Sequence, residues 1–394
     1  MADFRVPLMR NAFACEDETR KALSEFVIQT PRFSMDRECF AFEEEFARFQ
    51  GRAHAILFNS GSSANLALLQ ALRNIGLLQD GSKIAFTAVT WATNVMPIIQ
   101  LGMQPVPIDC DVSSLNVEPA QIMERLAQTE IDAFFATNVL GLLGDLPTIR
   151  ALCKDRGILL IEDNCESLGS EIDGVKAGNF GLAATFSFYI AHHMTTIEGG
   201  MVCTDDEDLA NMLRMVRVNG WDRNLSAPAK EKIRAKHNVR SDLDASFAFY
   251  DLGFNLRPTE ITGFLGRNQL KYVPQSIAAR ERNFLQVQAA VGANPDLIPL
   301  SFGHQSVVSS FSMPVICRTQ EGRARLSERL REAGIEHRPV IAGNIQRQPF
   351  YAKYVNQTYP LEGADQIHDC GLYFGNYPEL TIEDIALMVQ CLGR

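Results

Sequence analysis

The stretch Thr185-Phe186-Ser187-Phe188-Tyr189-Ile190-Ala191-His192-His193-Met194-Thr195-Thr196-Ile197-Glu198-Gly199-Gly200 decides how this chain is read. It begins apolar and β-prone. Five residues after Ser187 it sets two histidines side by side, and two threonines, a glutamate and a Gly-Gly pair follow. That order predicts a strand, a turn that gathers polar groups, and a second strand entered through glycine. Ser187 lies close to the apolar centre of the first strand, so its hydroxyl needs a partner, and a phosphate would serve.

Outward from this stretch, short apolar runs alternate with amphipathic ones. Residues 54–58, 83–90, 106–109, 133–139 and 158–161 read as strands, and 66–72, 94–101, 122–126 and 146–156 as helices. Residues 1–16 read as an extended arm, and 17–29 and 38–49 as helices. The second of these carries Phe42, Phe46 and Phe49 at helical spacing. Such alternation predicts an α/β fold with a mostly parallel, doubly wound sheet and ligands at the carboxyl ends of its strands. Residues 209–217 are expected to be helical, and the polar 219–246 a long surface loop of the kind that carries function. Helices at 261–270 and 277–291 lead to strands at 309–317, a helix at 323–333 and a last helix from 382. The chain thus divides into a large domain, residues 1–270, and a linker helix with a small α/β domain, residues 271–394.

Composition excludes several functions. A chain of 394 residues suits a large domain plus a smaller one. A net charge of −10 argues against nucleic acid or an anionic membrane as the main partner. No uncharged apolar run approaches the ~20 residues of a membrane span, and Met1-Ala2-Asp3-Phe4-Arg5-Val6-Pro7 lacks a secretory pattern. No two of the nine cysteines lie closer than a dozen residues, so neither C-x-x-C nor a compact metal site is expected. An odd number of thiols with apolar neighbours predicts reduced core cysteines in a cytoplasmic protein.

Four further features carry chemistry. Asn59-Ser60-Gly61-Ser62-Ser63-Ala64-Asn65 joins a strand to a helix, which suits a phosphate at the helix N-terminus or simple helix capping. Asp163 ends the aliphatic strand that runs into Asn164-Cys165-Glu166-Ser167. A carboxylate there is costly unless paired, and a protonated ring nitrogen is one good partner; a helix cap or a metal is another. Trp91 follows a strand, where its face would stack on a flat ring or fill a core. Asn255, between Phe254 and Leu256-Arg257-Pro258, would reach a phosphate across a subunit interface.

In this order and approximate spacing, these motifs resemble the DegT/DnrJ/EryC1/StrS sugar aminotransferase family along essentially the whole chain. The resemblance implies the type I fold of aminotransferases that use pyridoxal 5′-phosphate (PLP), with a seven-stranded sheet, and a homodimer with composite active sites. It implies PLP stacked on Trp91, its ring nitrogen on Asp163 and its phosphate on Gly61, Ser62 and Ser187. Asn255 would come from the other subunit, and Glu166 joins the cofactor-binding set.

The departure is the lysine. In that family the loop carries a lysine bonded covalently to the cofactor. Here the position holds His192, and Lys176 and Lys271 do not fit the loop. The His-His pair is similar to the subgroup of nucleotide-sugar 3-dehydratases. One branch of that subgroup adds a [2Fe–2S] cluster on closely spaced cysteines. Between Cys203 and Cys317 this chain has none, so it resembles the branch without iron. The runs 219–224 and 338–344 look like that branch too. The resemblance therefore implies non-covalent PLP and pyridoxamine 5′-phosphate (PMP). It implies L-glutamate as amino donor and a nucleotide-linked 4-keto-6-deoxyhexose as substrate, with GDP the favoured nucleotide. His192 would move protons, since an imidazole near pKa ~6.5 accepts and returns them at neutral pH. His193 is its rival or its orienting neighbour. Arg223, Arg338 and Asn344 would contact the nucleotide diphosphate. The products would be a 3-deoxy-4-keto sugar, 2-oxoglutarate and ammonia. The alternatives are an aminotransferase that works through histidine and a non-catalytic PLP-binding homologue.

Overall fold

The computed structural model describes residues 4–393. Short runs of apolar and β-branched residues form the main sheet: β1 (His54–Phe58), β2 (Lys83–Thr87), β3 (Gln104–Ile108), β4 (Ala133–Thr137) and β5 (Leu159–Asp163). A two-residue hairpin, β6 (Glu171–Ile172) and β7 (Val175–Lys176), precedes β8 (Ala183–Ser187) and β9 (Gly200–Thr204). The seven-stranded sheet has the order β1-β9-β8-β5-β4-β2-β3. Only β9 runs against its neighbours, pairing antiparallel with β1 and β8, while the other pairings are parallel. Both faces are covered, so neighbouring residues on one strand serve different cores. Phe134 joins the cluster that contains Phe284 and Val315, and Phe135 the cluster around Leu68 and Phe86.

The Thr185–Gly200 stretch folds as its order predicts. β8 ends at Ser187 and β9 starts at Gly200, directly opposite. Phe188 anchors the connection. It is fully buried, and its ring lies 5.3 Å from that of Phe42 and 5.2 Å from that of Phe46, both on the helix Arg37–Gln50. Gly200 is required by its surroundings, because a Cβ there would sit 2.3 Å from the Ser60 carbonyl oxygen.

β5 ends in two carboxylates that point in opposite directions, as the strand period of two demands. Glu162 is fully buried and accepts backbone N–H bonds from Gly178, Phe180 and Gly181 at 2.8, 2.8 and 2.7 Å. It thereby ties down the turn that feeds β8. Asp163 faces the other way.

A second sheet follows the helix Val273–Ala293. It consists of β10 (Leu297–Ile298), β11 (Ser312–Cys317), β12 (His337–Pro339) and β13 (Gly371–Gly375), antiparallel in the order β10-β11-β13-β12. One continuous apolar cluster joins it to the main sheet, with Phe134 and Leu160 on one side and Val315 and Phe374 on the other. The strand expected from 309 begins at Ser312. The carbonyls of Ser309 and Phe311 are taken instead by His193 Nε2 and Arg280 Nη1, both at 2.9 Å.

One expectation is overturned. Residues 219–246 are not a plain surface loop, since they contain the helices Ala227–Lys236 and Asp242–Ala245. The first buries no side chain, so it leaves no apolar stripe to read in the sequence. It is held locally, by the Ser226 cap on Ala229 N–H at 3.4 Å and by Arg234, which bonds Asp222 and Asp242 at 2.7 and 2.8 Å. All nine cysteines are free, and most are buried. Among the described residues no helix is long and apolar enough to cross a membrane, and no group of three or more His, Cys, Asp or Glu could hold a metal.

Glu162→Gln turns an amide N–H toward donors that have no other acceptor. We expect a loss of roughly 2–3 kcal/mol in urea unfolding followed by tryptophan fluorescence; an unchanged midpoint would show that the three N–H bonds add nothing to stability.

Candidate active site

The carboxyl ends of the strands open into a cavity of about 950 Å³. Thr137, Asp163 and Ser187 reach it from the ends of β4, β5 and β8, and Gly61 and Trp91 from the turns after β1 and β2. This is the position expected for a ligand in a parallel sheet.

Asp163 is 4% exposed. Its Oδ2 accepts from Asn65 Nδ2 at 3.0 Å and Asn94 Nδ2 at 2.6 Å, and its Oδ1 accepts from Cys165 N–H at 2.9 Å. Among the described residues no Lys, Arg or His pairs with it. The Oδ1 atoms of Asn65 and Asn94 are buried beside it without partners. A carboxylate solvated by amides but lacking a counter-cation fits the protonated nitrogen of a bound ring.

The second anchor is the N-terminus of the 14-residue helix Gly61–Asn74. Ser60 caps it by accepting from Ser63 N–H at 3.0 Å. A Cβ on Gly61 would lie 2.7 Å from Ser187 Cβ. Glycine therefore lets the helix end meet the Ser187 hydroxyl, and the two together present N–H and O–H donors to an anion. Trp91, 54% exposed, presents its ring to the same cavity. Glu166 lines it as well. One of its oxygens accepts from Leu140 N–H at 2.9 Å. Burial, with the Asp163 charge nearby, pushes its carboxyl up to about 8, so it is protonated at neutral pH.

The structure separates the two histidines. His192 lines the cavity, while His193 lies behind it at 6% exposure, with Nε2 bonded to the Ser309 carbonyl at 2.9 Å. A carbonyl only accepts, so that nitrogen of His193 carries the hydrogen. The Phe311 ring packs 5.2 Å from the His192 ring. Burial, and then the Arg280 charge, lower His192 to about 4, so its imidazole is neutral across the physiological range. Arg280 itself is buried on the carbonyls of Ser310, Phe311 and Asn376.

Of the other expected residues, Arg338 lines the cavity and pairs with Glu336 at 3.2 Å. Three do not reach it. Asn344 is 1% exposed, with its amide committed to Asp365 at 2.9 Å and to Gln346 N–H at 3.0 Å. Asn255 is exposed and accepts from Arg257 Nε at 3.0 Å. Arg223 lies over Trp221, 5.2 Å from the ring, in a separate concavity of about 460 Å³. Sequence reasoning left Asn65, Asn94, Glu198, Arg280, Arg323 and His368 without roles. Asn65 and Glu198 stand inside the quoted motifs and were open to it. Nothing local marks Asn94, and Arg280 is hidden in a charged helix.

The chain belongs to the DegT/DnrJ/EryC1/StrS aminotransferase family, whose model matches residues 14–393. Its fold is that of the PLP-dependent aminotransferases. A curated relative, GDP-4-keto-6-deoxy-D-mannose 3-dehydratase of Escherichia coli O55:H7, is 32% identical over 386 residues, 93% of this chain and 94% of the relative. The solved structure of E. coli GDP-4-keto-6-deoxy-D-mannose-3-dehydratase with bound hydrated PLP superposes with a TM-score of 0.89 at 30% identity, covering 99% of both chains. A second structure of GDP-4-keto-6-deoxymannose-3-dehydratase, with a trapped PLP-glutamate geminal diamine, has a TM-score of 0.89 at 31% identity, covering 98% of this chain and all of that one.

Two measurements follow from this geometry. His192 is neutral in the fold but protonated in the unfolded chain between its ordinary 6.5 and about 4, so its contribution removes stability as the pH falls through that window. We expect His192→Asn to lose on the order of 1 kcal/mol less than the parent between pH 7 and pH 5, read from urea midpoints; identical losses would place the titration elsewhere. Ile197 sits at φ 72° with its side chain 45% exposed, held by its N–H bond to Thr195 Oγ1 at 2.9 Å. A β-branched residue is strained there, so Ile197→Gly should raise the thermal midpoint, with a gain of about 1 kcal/mol. A lower midpoint would mean that the Ile197 side chain contributes more than the strain costs.

Proposed function

We propose that this protein removes the 3-hydroxyl from a nucleotide-linked 4-keto-6-deoxyhexose, with L-glutamate as reductant and PLP/PMP as a non-covalently held cofactor. The observation that carries this reading is a neutral imidazole, His192, in a cavity that no lysine lines among the described residues. The relatives support GDP as the nucleotide. The overall change balances: the sugar loses one oxygen, and glutamate becomes 2-oxoglutarate and ammonia.

Asp163 would hold the cofactor's ring nitrogen and keep it protonated. Gly61, Ser62 and Ser187 would hold its phosphate, and Trp91 would cover one face of the ring. When bound, the cofactor supplies an amine that condenses with a ketone and a ring that takes up electrons. His192 would accept a proton at its imidazole and return it, being the histidine that lines the cavity. Burial and the Arg280 charge lower it to about 4, so it is neutral and free to accept at neutral pH. His193 positions it, through the bond to Ser309 and the packing of both rings on Phe311. Glu166, protonated, would donate a hydrogen bond toward the ring. Arg338 takes an anionic group of the substrate. The committed amide of Asn344 removes it from that set.

Two wider assignments belong to this reading. A homodimer would bring Asn255 and Arg223 of one subunit to the cavity of the other, and exposed Phe247 and Phe249 beside Trp221 offer an apolar surface for it. Residues 1–270 would form the large domain and 271–394 the linker helix and small domain, in a cytoplasmic protein.

Mass spectrometry of products from GDP-4-keto-6-deoxymannose, PLP and glutamate tests the proposal. The expected outcome is a 3-deoxy-4-keto sugar with ammonia, and a stable 4-amino sugar would replace the dehydratase by an aminotransferase. His192→Asn should abolish turnover while PLP uptake, followed by absorbance, persists. His192→Lys should gain the absorbance of a lysine-bound cofactor.

A further inference from the structure

The part of the cavity lining contributed by the second sheet and its helices holds polar groups that the roles above leave unused. Arg323 stands on the helix Gln320–Glu332 and His368 near the end of the helix Glu362–Cys370, and both line the cavity with Arg338. We propose that His368, held in place by Gly343 and Asn344, donates a hydrogen bond from Nε2 to an anionic oxygen of the substrate, with Arg323 supplying the adjacent positive charge.

The orientation of the ring is built. His368 Nδ1 accepts from Asn344 N–H at 3.2 Å. The neutral ring therefore carries its hydrogen on Nε2, which makes no bond to any described residue. Gly343 lies against the ring at φ 65°, and a Cβ there would meet Nδ1 at 2.2 Å, so only glycine admits the histidine at this place. Arg323 fixes the helix end below it. Its Nη1 bonds the carbonyls of His368 and Asp369 at 3.4 and 3.1 Å, and among the described residues it has no carboxylate partner. The nearby acids are turned away, because Arg347 binds Asp365 and Asp369 at 3.2 and 3.0 Å. Glu336 is occupied by Arg338. What remains toward the cavity is an N–H donor beside a cation, which selects an oxyanion. These residues differ from those of the phosphate cradle at Gly61 and Ser187, which line the same cavity.

The inference rests on the proposed function, which offers two sources of such an oxygen: the carboxylate of the amino donor and the diphosphate of the nucleotide sugar. His368→Asn keeps an acceptor for Asn344 N–H and deletes the donor. With PLP-loaded protein, GDP affinity is read by calorimetry and L-glutamate affinity by titration of the cofactor absorbance. We expect one dissociation constant to rise by about tenfold, the size of a lost hydrogen bond to a charged group, while the other stays within about twofold. A change for glutamate assigns the carboxylate, and a change for GDP the diphosphate. Gly343→Ala, which displaces the ring, should reproduce the same selective loss. Two unchanged constants overturn the proposal, as does an equal rise in both with a lowered thermal midpoint. Binding without formation of a deoxysugar overturns the function and leaves the His368 result readable. A parent protein that binds neither ligand overturns both.

Discussion

A buried carboxylate without a counter-cation is the constraint on which the site depends. Asp163 ends β5 under the cavity, and the chain meets its charge only with the amides of Asn65 and Asn94 and one backbone N–H. Those donors come from the helix after β1, the turn after β2 and the turn after β5. Stabilising one charge therefore aligns three strand ends. It also leaves an unmet demand for positive charge directed into the cavity, which a protonated ring nitrogen satisfies. Glu162 does the complementary work on the other face of the same strand, where three backbone N–H groups and the Asn138 amide solvate it and the former fix the turn into β8.

The histidine loop depends on a second buried charge. Among the described residues Arg280 has no carboxylate partner; it holds the carbonyls of Ser310 and Phe311, while His193 holds that of Ser309. Three consecutive carbonyls are thus drawn out of β11, and Phe311 is placed against the imidazoles. The guanidinium charge and the shortage of water act in the same direction on His192, and both favour its neutral form. A lysine in this loop would bring a primary amine to the cofactor. An imidazole brings a proton acceptor that cannot hold the cofactor covalently, and in the proposed function retention would fall to Asp163 and the phosphate cradle.

Much of this was legible in the linear chain. The strands β1 to β5, β8 and β9 carry apolar runs of the right length, and the period change from strand to helix is clear at Phe58–Gly61. Gly61, Ser187 and Asp163 stood out because glycine, serine and aspartate at strand ends have few structural reasons to be there. The helix Ala227–Lys236 was not legible, since a helix stabilised by caps and ion pairs leaves no apolar stripe. The resemblance made Asn344 a contact of the diphosphate, and only its bonds with Asp365 and Gln346 show that its amide is already used. Arg223 lies outside the cavity of its own chain, as does Asn255, which was expected to come from the other subunit.

The sequence by itself determined the alternation that makes the doubly wound sheet, the replacement of lysine by histidine, and the carboxylate at the end of β5. These are local properties of residue type and period, and no folding is needed to see them. Only the tertiary structure decided which histidine lines the cavity, that Arg280 stands behind both, and that His368 reaches the cavity past Gly343. Each of those depends on residues about a hundred positions apart in the chain, or on the missing Cβ of one glycine. Side-chain direction and the local dielectric arise from contacts between distant segments, and adjacent residues such as His192 and His193 differ in nothing else.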